Sequence, residues 1–195
     1  SLSLQHKALL VYQKLIALHL KDAKPDALID VDLDRLKFVR EKSVHPEKDS
    51  LYLDAVNHIA HQYENLPAAS EAWYLVASYY EDRASTYAAY GDSTHRFDRL
   101  KAKEICERVV AQKDSSEGKI HCYNLLNHIN AISLEFNIEE VNVPDQPFRA
   151  LVRYRNFTTI YFRIIRADDR LKNDMENQYE DKYWKSIIAA RPLKS

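Results

Sequence analysis

The scarcity of glycine is the feature that most constrains this sequence. The chain has 195 residues but only two glycines, Gly91 and Gly118, where an average usage of ~7% would give roughly fourteen. Glycine supplies the backbone freedom that tight turns and phosphate-binding loops need. Neither a G-x-G-x-x-G nor a G-x-x-x-x-G-K-[ST] nucleotide loop is present, and no G-x-S-x-G turn exposes a nucleophilic serine. The sequence therefore favours helices over nucleotide-binding or hydrolase folds.

Length and charge narrow the class of protein further. The length predicts one domain, or one domain and a piece of another. The net charge is −1, with 46% hydrophobic and 29% charged residues, so no overall field attracts nucleic acid or membranes. The sequence has no run of 18 apolar residues, which predicts no direct membrane insertion. No signal peptide is recognisable, although absence of a signal does not establish a cytoplasmic home.

Apolar residues recur at helical spacing over most of the chain. This periodicity predicts helices over residues 1–21, 32–41, 47–64, 67–87, 97–112 and 120–131. Gly91 ends one helical stretch, and Gly118 is expected in a loop over residues 113–118. In the third helix, the expected buried stripe contains Leu51, Ala55, either His58 or Ile59, and Tyr63. We place a domain boundary near residue 131.

The pattern changes to alternation after residue 131, where Leu134, Phe136 and Ile138 are separated by polar residues. Residues 148–154 and 159–166 are expected to form two strands joined at Asn156. Pro144, Asp145 and Pro147 supply the preceding turn, and residues 174–189 return to a helix. The fold class is therefore mainly α: an antiparallel helix-hairpin array over 1–131, followed by a short antiparallel β segment with one helix over 132–195.

Two family resemblances follow from these segments. Trp73, Val76, Ala77 and Tyr80 match the packing positions of the first helix of a tetratricopeptide repeat, and residues 102–109 match those of its second helix. Residues 136–166 resemble the start of a macroglobulin-type β-sandwich, with a Pro-x-x-Pro-Phe turn before a strand that ends at asparagine. This order resembles the N-terminal region of Bacteroidetes-type proteins of the α2-macroglobulin family.

The resemblance implies a non-catalytic structural or protein-interaction module from a large exported, protease-trapping protein. It implies a periplasmic or outer-membrane-associated location and protein partners, either other domains of the same chain or a protease or peptide. The bait region and the Cys-Gly-Glu-Gln thioester of such proteins are not present, and no functional residue of the family carries over. The alternative is a free-standing cytoplasmic helical-repeat adaptor that binds a peptide or protein.

Tyrosine is concentrated around residues 74–90, and Tyr74, Tyr87 and Tyr90 are candidate partner-binding residues. Helical arrays bind extended partners along one face. Core packing is the competing explanation for the neighbouring aromatic residues. We keep both hypotheses for these three tyrosines.

Other polar clusters have simpler explanations than ligand binding. His58, His61 and Glu64 share a metal-like spacing, but surface histidines explain them better. The acidic cluster Asp26, Asp30, Asp32 and Asp34 lacks the central glycine of a calcium loop, and acidic residues favour helix starts. Cys106 and Cys122 predict free core thiols, with one bridge between neighbouring helices left open.

Arginines give residues 149–170 a net charge of +4. They are Arg149, Arg153, Arg155, Arg163, Arg166 and Arg170, and they define a candidate anion patch. The outer face of an antiparallel sheet is the favoured interpretation, so we predict no nucleic-acid partner. No nucleophile, base and orienting residue share a recognisable context. We accordingly predict no enzyme activity, no metal and no cofactor.

Overall fold

A computed structural model describes residues 3–88, 90–113, 115–139, 141, 143, 146–166, 169 and 179–194. The contacts divide the chain into two compact units, Ser1–Ala131 and Ile132–Ser195. The first unit is helical, and the second contains short antiparallel strands and a helix. The predicted fold class, mainly α with a short β segment, is therefore confirmed.

The first two helices pack against each other. Helix α1 spans Leu4–His19, and the Ser3 side chain caps it by accepting a hydrogen bond from the His6 amide at 3.2 Å. Helix α2 spans Asp26–Lys42, so the predicted start at residue 32 is wrong. The alternating acidic residues obscure a buried helical stripe of Ile29, Leu33 and Leu36, whose spacing keeps one face against the core.

Helix α3 spans Lys48–Gln62, and helix α4 spans Ala69–Ala84. The buried face of α3 is shifted by one residue from the expected stripe, because Tyr52 and Val56 are buried while Leu51 is 54% exposed. The Tyr52 ring contributes a large buried area in place of the leucine. Pro67 lies in the turn before α4, where its carbonyl accepts from the Ser70 amide at 3.1 Å.

Helices α5 and α6 span Asp98–Val110 and Glu117–Asn130. The Ser116 hydroxyl caps α6 by accepting from the Lys119 amide at 3.2 Å. Gly118 therefore lies in the first turn of α6, and its predicted position in a loop is wrong. Gly118 is buried against α4, where a β-carbon would lie 2.2 Å from the Glu71 amide nitrogen. Close helix contact, not turn geometry, requires this glycine.

The core of the first unit is formed by α2 to α6, whose consecutive members pack in turn. Small residues lie where helices approach, since Ala77 and Ala102 are fully buried. Trp73 is also buried, whereas Leu100 on α5 is 53% exposed. The largest fully buried side chains include Ile29, Leu33, Val56, Val76, Val109, Cys106 and Cys122.

The second unit pairs its strands differently from the sequence-based prediction. Strand β1, Ser133–Ile138, pairs antiparallel with β2, Ala150–Arg155. Strand β3, Ile164–Ile165, pairs with β4, Pro192–Lys194, so the expected hairpin between 148–154 and 159–166 is wrong. Asn156, which directly follows β2, has a φ of 60°. The described residues after it do not pair with β2.

Helix α7 spans Asp181–Ala189 and precedes β4. The Arg163 guanidinium donates to the Ile188 and Ala190 carbonyls, both at 2.8 Å. These bonds satisfy carbonyls that the end of a helix leaves unpaired. The predicted turn residues Pro144 and Asp145, the early part of the predicted helix at 174–178, and Arg170 lie outside the described residues.

Candidate functional site

The three candidate tyrosines lie in two separate places on the helical unit. Tyr74 is half-buried on α4, and its ring centroid is 4.8 Å from that of His121 on α6. Tyr87 and Tyr90 follow the end of α4 and are 38% and 106% exposed. The helix between Tyr74 and Ala84 alone is ~15 Å long. Tyr74 and the two later tyrosines are therefore separated by at least this length along α4, and their role in binding remains a prediction.

Tyr74 lies beside a polar cleft that is lined by three helices. The cleft has a volume of about 350 Å³. Alternate helices α2, α4 and α6 line it, and its residues are Asp30, Leu33, Asp34, Lys37, Glu71, Glu117 and His121. Four carboxylates thus face one lysine and one histidine, so the cleft favours a positively charged occupant.

Glu71 connects the three walls of this cleft. Its Oε2 is 2.8 Å from His121 Nδ1 on α6, and its Oε1 is 3.9 Å from Lys37 Nζ on α2. Lys37 Nζ is also 3.5 Å from Asp34 Oδ1. The side chain of Glu71 is 20% exposed, so solvent screens these interactions less than it would on an open surface.

The surroundings of Asp30 in the cleft disfavour the ionised form of its carboxyl group. Burial raises the pKa of Asp30, and the negative charges of Asp34, Asp26, Glu71 and Glu117 raise it further. Burial and then the Glu71 charge also raise the pKa of the Tyr74 hydroxyl. A cation bound in the cleft would reduce this repulsion.

A second polar network, which the sequence-based predictions missed, connects α2, α3 and α4. The Arg40 guanidinium lies 4.8 Å from the Tyr52 ring centroid and 5.2 Å from that of Tyr79, and Arg83 lies 5.4 Å from Tyr79. Such cation–π contacts are worth about 0.5–2 kcal/mol each. They give Tyr79 a packing role and need no external partner. Arginines spaced along different helices give no local motif that would have revealed the network.

Asp98 on α5 is the most enclosed ionised group of this network, with a side chain that is 4% exposed. Its Oδ2 is 2.7 Å from Arg83 Nη2 and 3.0 Å from His95 Nδ1, and its Oδ1 is 3.2 Å from Lys101 Nζ. Burial raises the pKa of Asp98, but hydrogen bonds from Lys101 and Arg83 outweigh that effect and lower it. Asp98 therefore joins α4 to α5 as a charged anchor.

The other sequence candidates occupy ordinary structural positions. His61 packs edge-on against Trp73 with ring centroids 4.8 Å apart, and His58 is exposed. Within the described part of the chain, no group of three His, Cys, Asp or Glu side chains is arranged to hold a metal ion. Cys106 and Cys122 are free and buried, as the first hypothesis for them predicts.

The arginines of the second unit also form local contacts. Arg153 Nη1 on β2 is 3.3 Å from both carboxylate oxygens of Glu135 on β1, and Arg163 donates to the end of α7. Among the described residues, no helix is both long and apolar enough to cross a membrane.

No protein-family model, curated protein or solved structure matches the chain. The functional inference consequently depends on the residues and contacts described above.

Proposed function

We propose that this chain is a non-catalytic structural and protein-interaction module. In this proposal it belongs to the N-terminal region of a large exported α2-macroglobulin-like protein of the protease-trapping type. The module is located in the periplasm or at the outer membrane, and its partners are other domains of the same protein, a protease or a peptide. The order of a helical unit followed by a short β unit supports the proposal.

One observation carries it: the β1–β2 ribbon has an apolar face that is exposed. Cross-strand pairs on this face join Leu134 to Tyr154 and Phe136 to Val152. Leu134, Phe136 and Tyr154 are 53%, 46% and 63% exposed. The opposite face carries the Glu135 to Arg153 ion pair. Such a two-faced ribbon is what the first strands of a β-sandwich present to a second sheet.

The non-catalytic part of the proposal is supported by what the enclosed polar groups do. Asp98 binds Arg83 and Lys101, and Glu81 forms a two-oxygen contact with Arg99 Nε at 3.0 and 2.9 Å. These carboxylates join neighbouring helices. Ion pairs with this role are typical of a scaffold that holds helices in register.

The test is to read the gene sequence on both sides of the codons for this chain. We expect a signal peptide upstream and a series of macroglobulin-type β domains downstream. Hydrogen exchange of the longer protein is expected to show slower exchange of the β1–β2 amides than in the 195-residue chain, because a second sheet covers the ribbon. Either of two results would overturn the proposal. One is an open reading frame that stops close to Ser195, and the other is unchanged exchange of these amides in a longer product.

A free-standing peptide adaptor is the second candidate function, and the cleft between α2, α4 and α6 favours it. Its carboxylates would contact lysine or arginine side chains of an extended peptide, with Tyr74 at the edge. Calorimetry with matched lysine-rich and glutamate-rich peptides distinguishes this candidate. Binding of the lysine-rich peptide that is lost in Asp30→Asn/Asp34→Asn supports an adaptor, whereas equal binding of both peptides rejects it.

A further inference from the structure

Helix α1 differs from the other helices of the first unit because none of its residues is buried. It packs against α2, where the Tyr12 ring lies 5.8 Å from the Phe38 ring. The side of α1 next to this contact exposes large apolar side chains. These side chains are exposed in the described structure and are available to a partner.

Three of the exposed apolar residues of α1 follow a heptad spacing, whereas Leu9 and Leu10, which are 40% and 39% exposed, lie outside it. Leu4, Val11 and Leu18 recur every seven residues and are 80%, 55% and 58% exposed. Ala8 and Leu15, which lie between them on the helix surface, are half-buried. Seven residues make almost two helical turns, so these five positions form the a and d seam of a coiled coil. A second helix is the shape that fits along such a seam.

Three lysines accompany the apolar stripe at the same spacing. Lys7 and Lys14 on α1, and Lys21 two residues after its end, occupy the g positions of this heptad pattern and are exposed. None of them forms an ion pair with a carboxylate in the described ranges of the chain. The corresponding e positions carry Gln5, Tyr12 and His19, which supply no negative charge to a second copy of the same helix.

Charge complementarity decides which helix fits. In coiled coils, residues at e and g set partner choice by pairing opposite charges across the seam. Two copies of α1 would place lysines against lysines, or against uncharged side chains, and like charges disfavour such pairing. A helix with apolar residues at its own a and d positions and carboxylates at e and g complements both the apolar residues and the lysines of α1.

We propose that α1 is a docking strip for an acidic amphipathic helix of a separate protein partner. The partner's apolar side chains pack on Leu4, Val11 and Leu18, and its carboxylates pair with Lys7 and Lys14. This inference is independent of the macroglobulin relationship, because it uses only the surface of α1. It also concerns a surface different from the cleft between α2, α4 and α6.

The first experiment uses two synthetic peptides of three heptads with leucine at a and d. One carries glutamate at e and g, and the other carries lysine there. Fluorescence anisotropy is expected to show binding of the glutamate peptide alone, weakening as salt screens the ion pairs. In Lys7→Glu/Lys14→Glu/Lys21→Glu, the affinity for this peptide is expected to fall about tenfold or more, equivalent to about 1.4 kcal/mol, and the lysine peptide is expected to bind instead.

Two matched controls separate the strip from general effects. The variant Lys42→Glu/Lys113→Glu/Lys185→Glu makes the same charge change at exposed positions elsewhere and is expected to leave binding unchanged. Val11→Asp is expected to abolish binding, whereas Val44→Asp, at a position that is 99% exposed, retains it. Circular dichroism verifies that each variant keeps its helix content.

Three results would overturn the inference. The first is no binding of the glutamate peptide, and the second is equal binding of both peptides. The third is a dimer in sedimentation analysis that Val11→Asp dissociates, because a second copy of the chain then covers α1.

Discussion

The backbone of Gly118 on α6 lies against the backbone of Glu71 on α4, so that a β-carbon at Gly118 would be 2.2 Å from the Glu71 nitrogen. The side chain of Glu71 contacts His121 from the same α6 helix at 2.8 Å. Backbone packing and a side-chain hydrogen bond therefore hold the same two helices at the same point. The polar cleft beside α2 depends on this contact for its shape.

We expect Gly118→Ala to destabilise the protein by at least about 2 kcal/mol, because α4 and α6 must separate to admit one methyl group. Urea unfolding followed by circular dichroism measures the change. The matched control is Gly91→Ala, where the nearest atom to a β-carbon is the Ala88 β-carbon at 3.3 Å. Its effect is expected to stay within about 1 kcal/mol. Equal effects of the two substitutions would contradict the close helix contact.

Asp98→Asn is expected to lower stability at neutral pH by about 2 kcal/mol, because Arg83 and Lys101 lose a charged acceptor. The pKa of Asp98 is lowered from 3.8, so the folded protein favours the ionised form. That stabilisation is complete above pH 3.8 and is lost as the pH falls through the lowered pKa. The difference between wild type and variant should therefore shrink in acid unfolding measurements. A difference that is constant from neutral to acidic pH would show that the charge is unimportant.

Asp30→Asn is expected to raise the melting temperature at neutral pH. The pKa of Asp30 is raised from 3.8 by burial and by neighbouring carboxylates, so its ionised form disfavours folding. Wild type should approach the variant as the pH falls below 3.8, where Asp30 is protonated in both folded and unfolded states. Calorimetry at several pH values tests this. Asp54→Asn, at an exposed position on α3, is the control, and an equal gain there would reject the explanation.

Cys106 and Cys122 are expected to resist alkylation in the folded protein. A hydrogen bond that the Cys122 thiol donates to the Cys106 sulfur, together with burial, raises the pKa of Cys122, and the thiolate is the reactive form. Mass spectrometry after iodoacetamide treatment should find neither residue modified in buffer and both modified in urea. Rapid modification without denaturant would mean that α5 and α6 open readily. Failure to modify either cysteine in urea without reductant would reveal a bridge.

The sequence predicts helices well where a single apolar stripe is repeated, as in α4, where Trp73, Val76 and Ala77 are buried. It fails where tertiary contact overrides the local pattern. In α2, acidic residues between Ile29 and Leu33 mask the helical period. Gly118 looks like a loop residue because glycine rarely has a place in a helix, and only the contact with α4 explains it.

The polar site is harder to predict than the fold, because its members come from separate helices. Asp30 belongs to an acidic cluster in the sequence, but no sequence pattern connects it to Glu71 or His121, and packing alone brings the three together. The prediction of strand pairing is wrong for a related reason. Alternation reveals that β1 and β2 are strands, but it does not specify the partner of either when the connection is long.

The amphipathic β1–β2 ribbon has a practical consequence for the isolated chain. In the ranges that the structure describes, these two strands form a sheet of their own, so neither pairs with a further described strand along its outer edge. Edges of this kind add strands from other molecules. Concentrated preparations should accordingly self-associate through the second unit, and a lysine at Phe136 would keep them monodisperse.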